Sequence, residues 1–395
     1  MFLYRFTQAA AWIVSKAFFK RKVVRNELKG KKGPIVVIAN HQAALDFVNL
    51  ISSVRQPMRF VISNSFYKTM PVKGIMTKIG VIPKQQFQTS LKDMHSMKAV
   101  IDSNEILAIY PAGLMCEDGI STPIPIATYR FLQWLQADIY VAKTSGTYFC
   151  TPKWSKKNRA GRTYLDIYKL FSKEELATLS NEEIRERADE ALLFDAYREQ
   201  ETLKVKYCHG DNIEGLENVL YLCPHCKREY TVRVRDKHTI YCTECGFAEK
   251  SDKYGFLHKE GEVGEELRYV SDWSRLVHDD LKARMSDGEC AELSCGTKFL
   301  TVNEKKKKFV ESGEGTVTLT ADKFILSGTM NGEEICLEIP SKMFPSLPFK
   351  PGKYIEIQHN DDIIRCMLDD GKLAMKFINM LKINHEIFED EHCHV

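Results

Sequence analysis

Ile35-Val36-Val37-Ile38-Ala39 runs directly into Asn40-His41-Gln42-Ala43-Ala44-Leu45-Asp46. The first five residues are apolar and mostly β-branched, which is the make-up of a strand buried on both faces of a parallel sheet. Lys32-Gly33-Pro34 turns the chain just before them. Past the polar Asn40-His41-Gln42, residues Leu45, Phe47, Val48, Leu50 and Ile51 describe the buried side of a helix. The same alternation continues outward. Arg59–Ser63 is a second strand, 66–79 a helix, and Gly80-Val81-Ile82-Pro83 a third strand or its end. Residues 90–103 are helical, and Ile106–Tyr110 and Ile139–Lys143 are further strands. Strands alternating with helices predict an α/β domain with a mixed or parallel sheet.

The chain has 395 residues, enough for two or three domains. Hydrophobic residues make up 44% and charged residues 28%, which excludes a mainly disordered chain. No run of 18 residues is free of charge, which argues against a polytopic membrane protein. The net charge of +3 is unevenly spread. Residues 1–100 hold 17 Lys and Arg against three Asp and Glu, a formal +14, so the remainder carries −11. A basic front predicts that the first domain faces something anionic: membrane phospholipid, a phosphorylated substrate or nucleic acid.

Residues 2–19 are apolar with isolated charges. Phe2, Phe6, Ala9, Ile13 and Ala17 share one helical face, and Lys20, Arg21, Lys22 and Arg25 follow. An apolar face, Trp12 and a basic flank predict an interfacial helix in contact with a membrane. The alternative is a helix packed on its own domain. No signal sequence with a small-residue cleavage site is read, and the expected location is the cytoplasmic face of a membrane, peripherally bound.

His41 and Asp46 sit just past a buried strand, where α/β sheets place ligand sites. A carboxylate in reach of one imidazole nitrogen fixes the tautomer and leaves the other nitrogen as a general base. The alternative is a His–Asp pair that merely caps the helix at 42–50. Asn40-His41-x4-Asp46 resembles the N-H-x4-D signature of the glycerolipid acyltransferases that include lysophosphatidate (1-acylglycerol-3-phosphate) acyltransferase. Gly80-Val81-Ile82-Pro83-Lys84 resembles the second block of that family. Ile109-Tyr110-Pro111-Ala112-Gly113 resembles the third, and Ile139–Lys143 stands where the fourth is expected. The resemblance covers about residues 20–170 and implies acyl transfer to a lysophospholipid hydroxyl in phospholipid biosynthesis. His41 would be the general base and Asp46 its orienting group. Asn40, Lys84 and Gly113 would be substrate-binding positions. Acyl-CoA or acyl-carrier protein would be the co-substrate, with no catalytic cofactor. Two departures stand out. Ala112 replaces the family's Glu, and Leu114-Met115-Cys116 replaces Thr-Arg-Ser, with Glu117 five positions on. They keep open a second possibility, a weak or inactive acyltransferase-like adaptor that binds lipid or protein.

Cys223-x2-Cys226 and Cys242-x2-Cys245 are separated by 15 residues. Two C-x2-C pairs at this spacing predict a structural zinc ribbon whose four thiolates fill the coordination sphere. Its basic residues permit nucleic-acid binding, but nucleic acid is not the expected partner. After about residue 295, six or seven short strands and a final helix over 371–385 resemble, in pattern, a pleckstrin-homology or GRAM-like domain. The Lys305–Lys308 run is read as a hairpin tip. The expected layout is a membrane-contact helix at 1–25, an acyltransferase domain at 26–205, a zinc ribbon at 206–260 and a β-rich domain with a C-terminal helix at 261–395.

Overall fold

The computed structural model describes residues 2–86, 90–343, 345–359 and 362–392. The chain divides into two compact units. One comprises Met1–Lys153, Lys157–Gly210 and Lys253–Gly255; the other comprises Trp154–Lys156, Asp211–Asp252 and Phe256–Val395.

The first unit opens with α1 (Phe2–Ala17), β1 (Lys22–Asn26), β2 (Ile35–Ala39), α2 (Asp46–Ile51), β3 (Met58–Ser63), α3 (Asn64–Thr69) and α4 (Lys73–Lys78). It continues with β4 (Ile82–Lys84), α5 (Leu91–Asp102), β5 (Ile106–Ile109), α6 (Ala127–Leu135), β6 (Asp138–Ser145), the one-turn α7 (Thr147–Cys150) and β7 (Tyr164–Phe171). Helices α8 (Lys173–Thr178), α9 (Asn181–Leu192) and α10 (Ala196–Leu203) follow. The seven strands form one sheet in the order β1-β7-β6-β2-β5-β3-β4. It is mixed, because β7 runs antiparallel to β6 while β2 is parallel to both β5 and β6. All five residues of β2 are buried, as its central place requires. On one face Val36, Ile38, Leu107, Ile109, Ile139 and Val141 pack against α5, α6 and α9. Each such side chain contributes about 1.5–3 kcal/mol.

Three segments differ from expectation for local reasons. Residues 66–79 are two short helices, because Pro71 interrupts the ladder between them. Residues 173–200, which by sequence read as a charged helical stretch with a capping box at Ser180 and Glu183, hold three helices, and two of them begin at capping boxes, Ser172 with Glu175 and Ser180 with Glu183. The basic flank of α1 is partly turned inward. Arg21 is buried and donates to the Asn49 carbonyl and to the Ser52 and Ser53 hydroxyls, while Arg25 grips Asp166 through two bonds of 2.8 and 2.9 Å.

In the second unit β8 (Val232–Arg235), β9 (Thr239–Cys242), β10 (Ala248–Ser251) and β11 (Leu257–Lys259) form an antiparallel meander. Helix α11 (Val270–Ser286) lies on it through Trp273, which is fully buried and donates its indole N–H to the Leu222 carbonyl at 2.9 Å. A seven-stranded antiparallel sheet follows, built from β12 (Glu292–Asn303), β13 (Lys308–Thr320), β14 (Lys323–Met330), β15 (Glu333–Pro340), β16 (Phe349–Lys350), β17 (Tyr354–His359) and β18 (Asp362–Leu368). Its order is β15-β14-β13-β12-β18-β17-β16, and α12 (Leu373–His392) completes it. Lys305–Lys308 spans the turn between β12 and the start of β13. Of the segments expected as ribbon and β-rich domains, residues 211–252 and 256–395 fall in this unit, and 206–210 and 253–255 in the first.

Glu249 on β10 is fully buried. One carboxyl oxygen accepts the Leu267 N–H, and the other has no partner among the described residues. Burial pushes this carboxyl up to about 8, with the charge of Glu266 adding to the effect and the Leu267 bond opposing it. An unfolded Glu titrates near ~4.3. Between these two values the folded chain keeps a proton that the unfolded chain has released. Stability contributed by this group therefore falls as pH rises through the window and levels off above it. Glu249→Gln is expected to flatten that part of the stability–pH curve in denaturant titrations; an unchanged slope would exclude Glu249 as its source.

Candidate active site

Strands β2, β5 and β6 run parallel and in register, with Ile38 opposite Ile109 and Ala39 opposite Ala142. Their C-terminal ends therefore bring Asn40-His41, Tyr110 and Thr144 to one edge of the sheet, the edge at which open α/β sheets bind ligands. His41 Nδ1 lies 3.1 Å from Asp46 Oδ2. The same oxygen accepts the Ala43 N–H at 2.8 Å, which closes the tight loop between strand and helix. Asp46 is fully buried at the first position of α2, whereas the His41 side chain keeps 21% exposure. A carboxylate only accepts, so a hydrogen bond here places the imidazole proton on Nδ1 and leaves the Nε2 lone pair available. Nε2 has no hydrogen-bond partner among the described residues. The Tyr110 ring packs on the imidazole with centroids 4.5 Å apart and restrains its plane.

The other residues singled out in the sequence take different places. The Asn40 amide is engaged within the protein. It is buried, donating from Nδ2 to the Thr144 carbonyl and accepting the Thr144 N–H at Oδ1, both at 2.8 Å. It ties the His41 loop to β6 and so positions His41. Lys84 ends β4 and donates to the Gln85 carbonyl at 3.0 Å, and burial lowers its pKa, with the charge of Asp93 opposing that. Gly113 has φ +69°, a turn conformation that favours glycine, and no atom lies within 4 Å of where a Cβ would stand. Its carbonyl accepts Gln86 Nε2 at 2.5 Å, which joins the loop after β4 to the loop after β5. That second loop is also latched to the His41 loop, because the Cys116 N–H donates to the His41 carbonyl at 3.3 Å.

Glu117 does not take the place of the missing family Glu. It is buried, with Oε2 3.9 Å from Lys153 Nζ. Cys116 is no nucleophile. Burial pushes its thiol well up, nearby carboxylates add to this, and its sulfur is 3.5 Å from the Gln42 carbonyl. Ala112 stood out in the sequence, but Ser121, Thr122, Leu192 and Phe194, which wall the space beside His41 with it, did not. A cavity of about 20 Å³ is bounded there by Ala112, Ser121, Thr122, Leu192 and Phe194. It holds roughly one water. Leu192 and Phe194 come from the end of α9 and the turn after it, and the Ser121 N–H donates to the Phe194 carbonyl at 3.1 Å.

In the second unit the four cysteines converge. Sγ atoms of Cys223 and Cys245 are 3.6 Å apart, those of Cys226 and Cys242 are 3.7 Å apart, and all four lie within 4.8 Å of one another. Four thiolates about 2.3 Å from a tetrahedral ion stand about 3.8 Å apart, so the spacing fits zinc. Lys227 and Gly246, each just after a C-x2-C pair, adopt positive φ, which folds each pair into a knuckle.

Residues 20–150 match the family model described as Acyltransferase, so the chain carries a domain of the family that its motifs resemble and is an acyltransferase enzyme. Among solved structures it is similar to the 1-acyl-sn-glycerophosphate (LPA) acyltransferase PlsC from Thermotoga maritima. The identity is 17% and the TM-score 0.42, over 51% of this chain and 81% of that one, a likeness too distant to carry further argument. No curated protein matches the chain.

Asp46→Asn is expected to lower kcat by about 10²–10⁴-fold, the usual range for losing a correctly poised general base. Circular dichroism should stay unchanged. Wild-type turnover in this variant would exclude the orienting role of Asp46.

Proposed function

We propose that the chain transfers an acyl group from a thioester donor, acyl-CoA or acyl-carrier protein, to a hydroxyl of a lysophospholipid such as 1-acylglycerol-3-phosphate. The observation that carries this is the His41–Asp46 pair, with Nε2 unengaged at the C-terminal edge of the sheet. Nε2 removes the acceptor hydroxyl proton as the oxygen attacks the thioester carbon. The tetrahedral intermediate then collapses, the C–S bond breaks, and the thiolate takes the proton from the imidazolium. Asp46 keeps the ring oriented and balances its charge. No acyl-enzyme is needed, in keeping with a buried, neutral Cys116. Lys84 and the Gly113 loop are joined through Gln86 and form the side that receives the acceptor head group.

The reaction is placed at the cytoplasmic face of a membrane, as part of phospholipid biosynthesis. No described helix is long and apolar enough to cross a membrane. Helix α1 supports surface binding instead, because its polarity is reversed. Tyr4, Ala11 and Ser15 are buried, whereas Phe2, Phe6, Trp12 and Ile13 are exposed. Such a face suits the headgroup–acyl boundary. The four clustered cysteines would hold a structural zinc, which ties the two knuckles together and supplies no chemistry to the reaction. About one zinc per chain is expected by mass spectrometry, and almost none in Cys223→Ser/Cys245→Ser. A wild-type protein purified without chelator that lacks zinc would refute the assignment.

The direct test is acyl transfer by purified protein, with detergent-dispersed lysophosphatidate and other lysophospholipids, both donors, and His41→Ala alongside. Product should form with the wild type and fall by at least about 10²-fold in His41→Ala. Absence of product from every acceptor, with folded and zinc-loaded protein, would instead favour the adaptor, for which the small cavity beside His41 and Ala112 are the supporting features.

A further inference from the structure

An open groove of about 510 Å³ lies between α1 and the segment that follows α2, and is lined by Arg5, Gln8, Trp12, Ile13, Val54 and Arg55 among others. Its construction is specific. Gln8 Nε2 donates to the Ile51 carbonyl at 3.0 Å and also to that of Val54, fastening the helix along one wall. Arg5 Nη1 reaches the Arg55 carbonyl at 2.8 Å and Gln8 Oε1 at 3.0 Å, which fixes its guanidinium over the groove. The Nε and Nη2 atoms of Arg5 have no partner among the described residues, and the Arg55 guanidinium has none either. Residues 1–45 contain a single carboxylate, Glu27, and it is engaged by Arg25 and by the Lys169 N–H. Two guanidinium groups stand at one groove, and among the described residues no carboxylate lies within ion-pair distance of either. Beside them, Trp12 and Ile13 offer large exposed apolar surface.

We propose that this groove binds one anionic phospholipid of the bilayer. The phosphate and its charged headgroup would lie between Arg5 and Arg55, and the start of an acyl chain along Trp12 and Ile13. Charge complementarity selects the occupant. A phosphate oxygen accepts charge-assisted bonds from both guanidinium groups, while the amphipathic Trp12 ring suits the headgroup level. A zwitterionic lipid satisfies the apolar wall but returns a cation to the arginines. The groove also bears on catalysis through α2, which starts at Asp46 and ends at Ile51, the residue Gln8 holds. Six helical residues span roughly 9 Å, so the lipid contact and the catalytic pair sit at opposite ends of one short rod. This inference rests on the membrane-surface reading of α1.

The test is co-sedimentation of the full chain with phosphatidylcholine vesicles, with and without phosphatidylglycerol. Wild type should bind the anionic vesicles roughly tenfold or more tightly than the neutral ones. Arg55→Gln and Arg5→Gln/Arg55→Gln should lose most of that gain while keeping binding to phosphatidylcholine. The Arg55 side chain makes no bond among the described residues, so the single variant tests the groove while leaving the Arg5 bond to the Arg55 carbonyl in place. Lys173→Gln/Lys204→Gln removes the same charge as the double arginine variant from exposed positions outside the groove and should keep the gain. Phe6→Ser/Ile13→Ser should weaken binding to both vesicle types. Equal binding of wild type to both, an undiminished gain in the arginine variants, or an equal loss in the lysine variant would overturn the groove. So would displacement from anionic vesicles by glycerol phosphate at matched headgroup concentration, which would make it a site for free phosphate. Failure of wild type to bind either vesicle would overturn the membrane reading itself, and the groove with it.

Discussion

Asp46 is a carboxyl group without exposed surface, and such a group persists inside a protein only where its bonds are arranged for it. Here the arrangement is the Ala43 N–H and the His41 imidazole converging on one oxygen at the first turn of α2. That single oxygen sets the loop between β2 and α2, the ring orientation of His41 and the side from which an acceptor can approach. The surrounding elements serve this point. Asn40 clasps the loop to β6, Tyr110 restrains the imidazole, and Cys116 latches the next loop to the His41 carbonyl. Three parallel strand ends in register make these contacts possible at once.

Much of this was legible in the residues. The β2 strand is five consecutive apolar residues, and only a central position buries all of them. His41 and Asp46 fall where such a strand ends. The two C-x2-C pairs needed no more than their spacing. What escaped the sequence has physical causes. Strand β1, Lys22-Val23-Val24-Arg25-Asn26, is an exposed edge and carries no buried periodicity. Helix α6 shows its pattern only once Tyr129, Leu132 and Leu135 are set against the sheet. Asn40 was singled out through the family signature that it opens; which groups it bonds depends on a strand a hundred residues away. Phe194 walls the cavity from the end of a helix whose own sequence is mostly charged, so nothing local marks it. The basic run after α1 read as a uniform surface patch, yet Arg21 closes the hydrogen bonds of the 49–53 turn from inside.

The first helix shows how a segment can satisfy two solvents. Its inward stripe is Tyr4, Ala11 and Ser15, small or hydrogen-bonding groups that allow close approach to α2. Its large apolar residues point outward, the reverse of an ordinary surface helix. The second unit carries another kind of constraint, a cluster of four thiols that would repel one another as thiolates and therefore calls for a cation.

The proposed chemistry depends on which nitrogen of His41 bears the proton. Nitrogen-15 NMR of the imidazole at neutral pH reads this directly, with His41→Ala used to assign the signals. The Asp46 contact predicts the neutral ring protonated on Nδ1, with Nε2 as the bare nitrogen, and loss of that preference in Asp46→Ala. A neutral ring protonated on Nε2 in the wild type would leave no base facing the acceptor and would contradict the proposed chemistry.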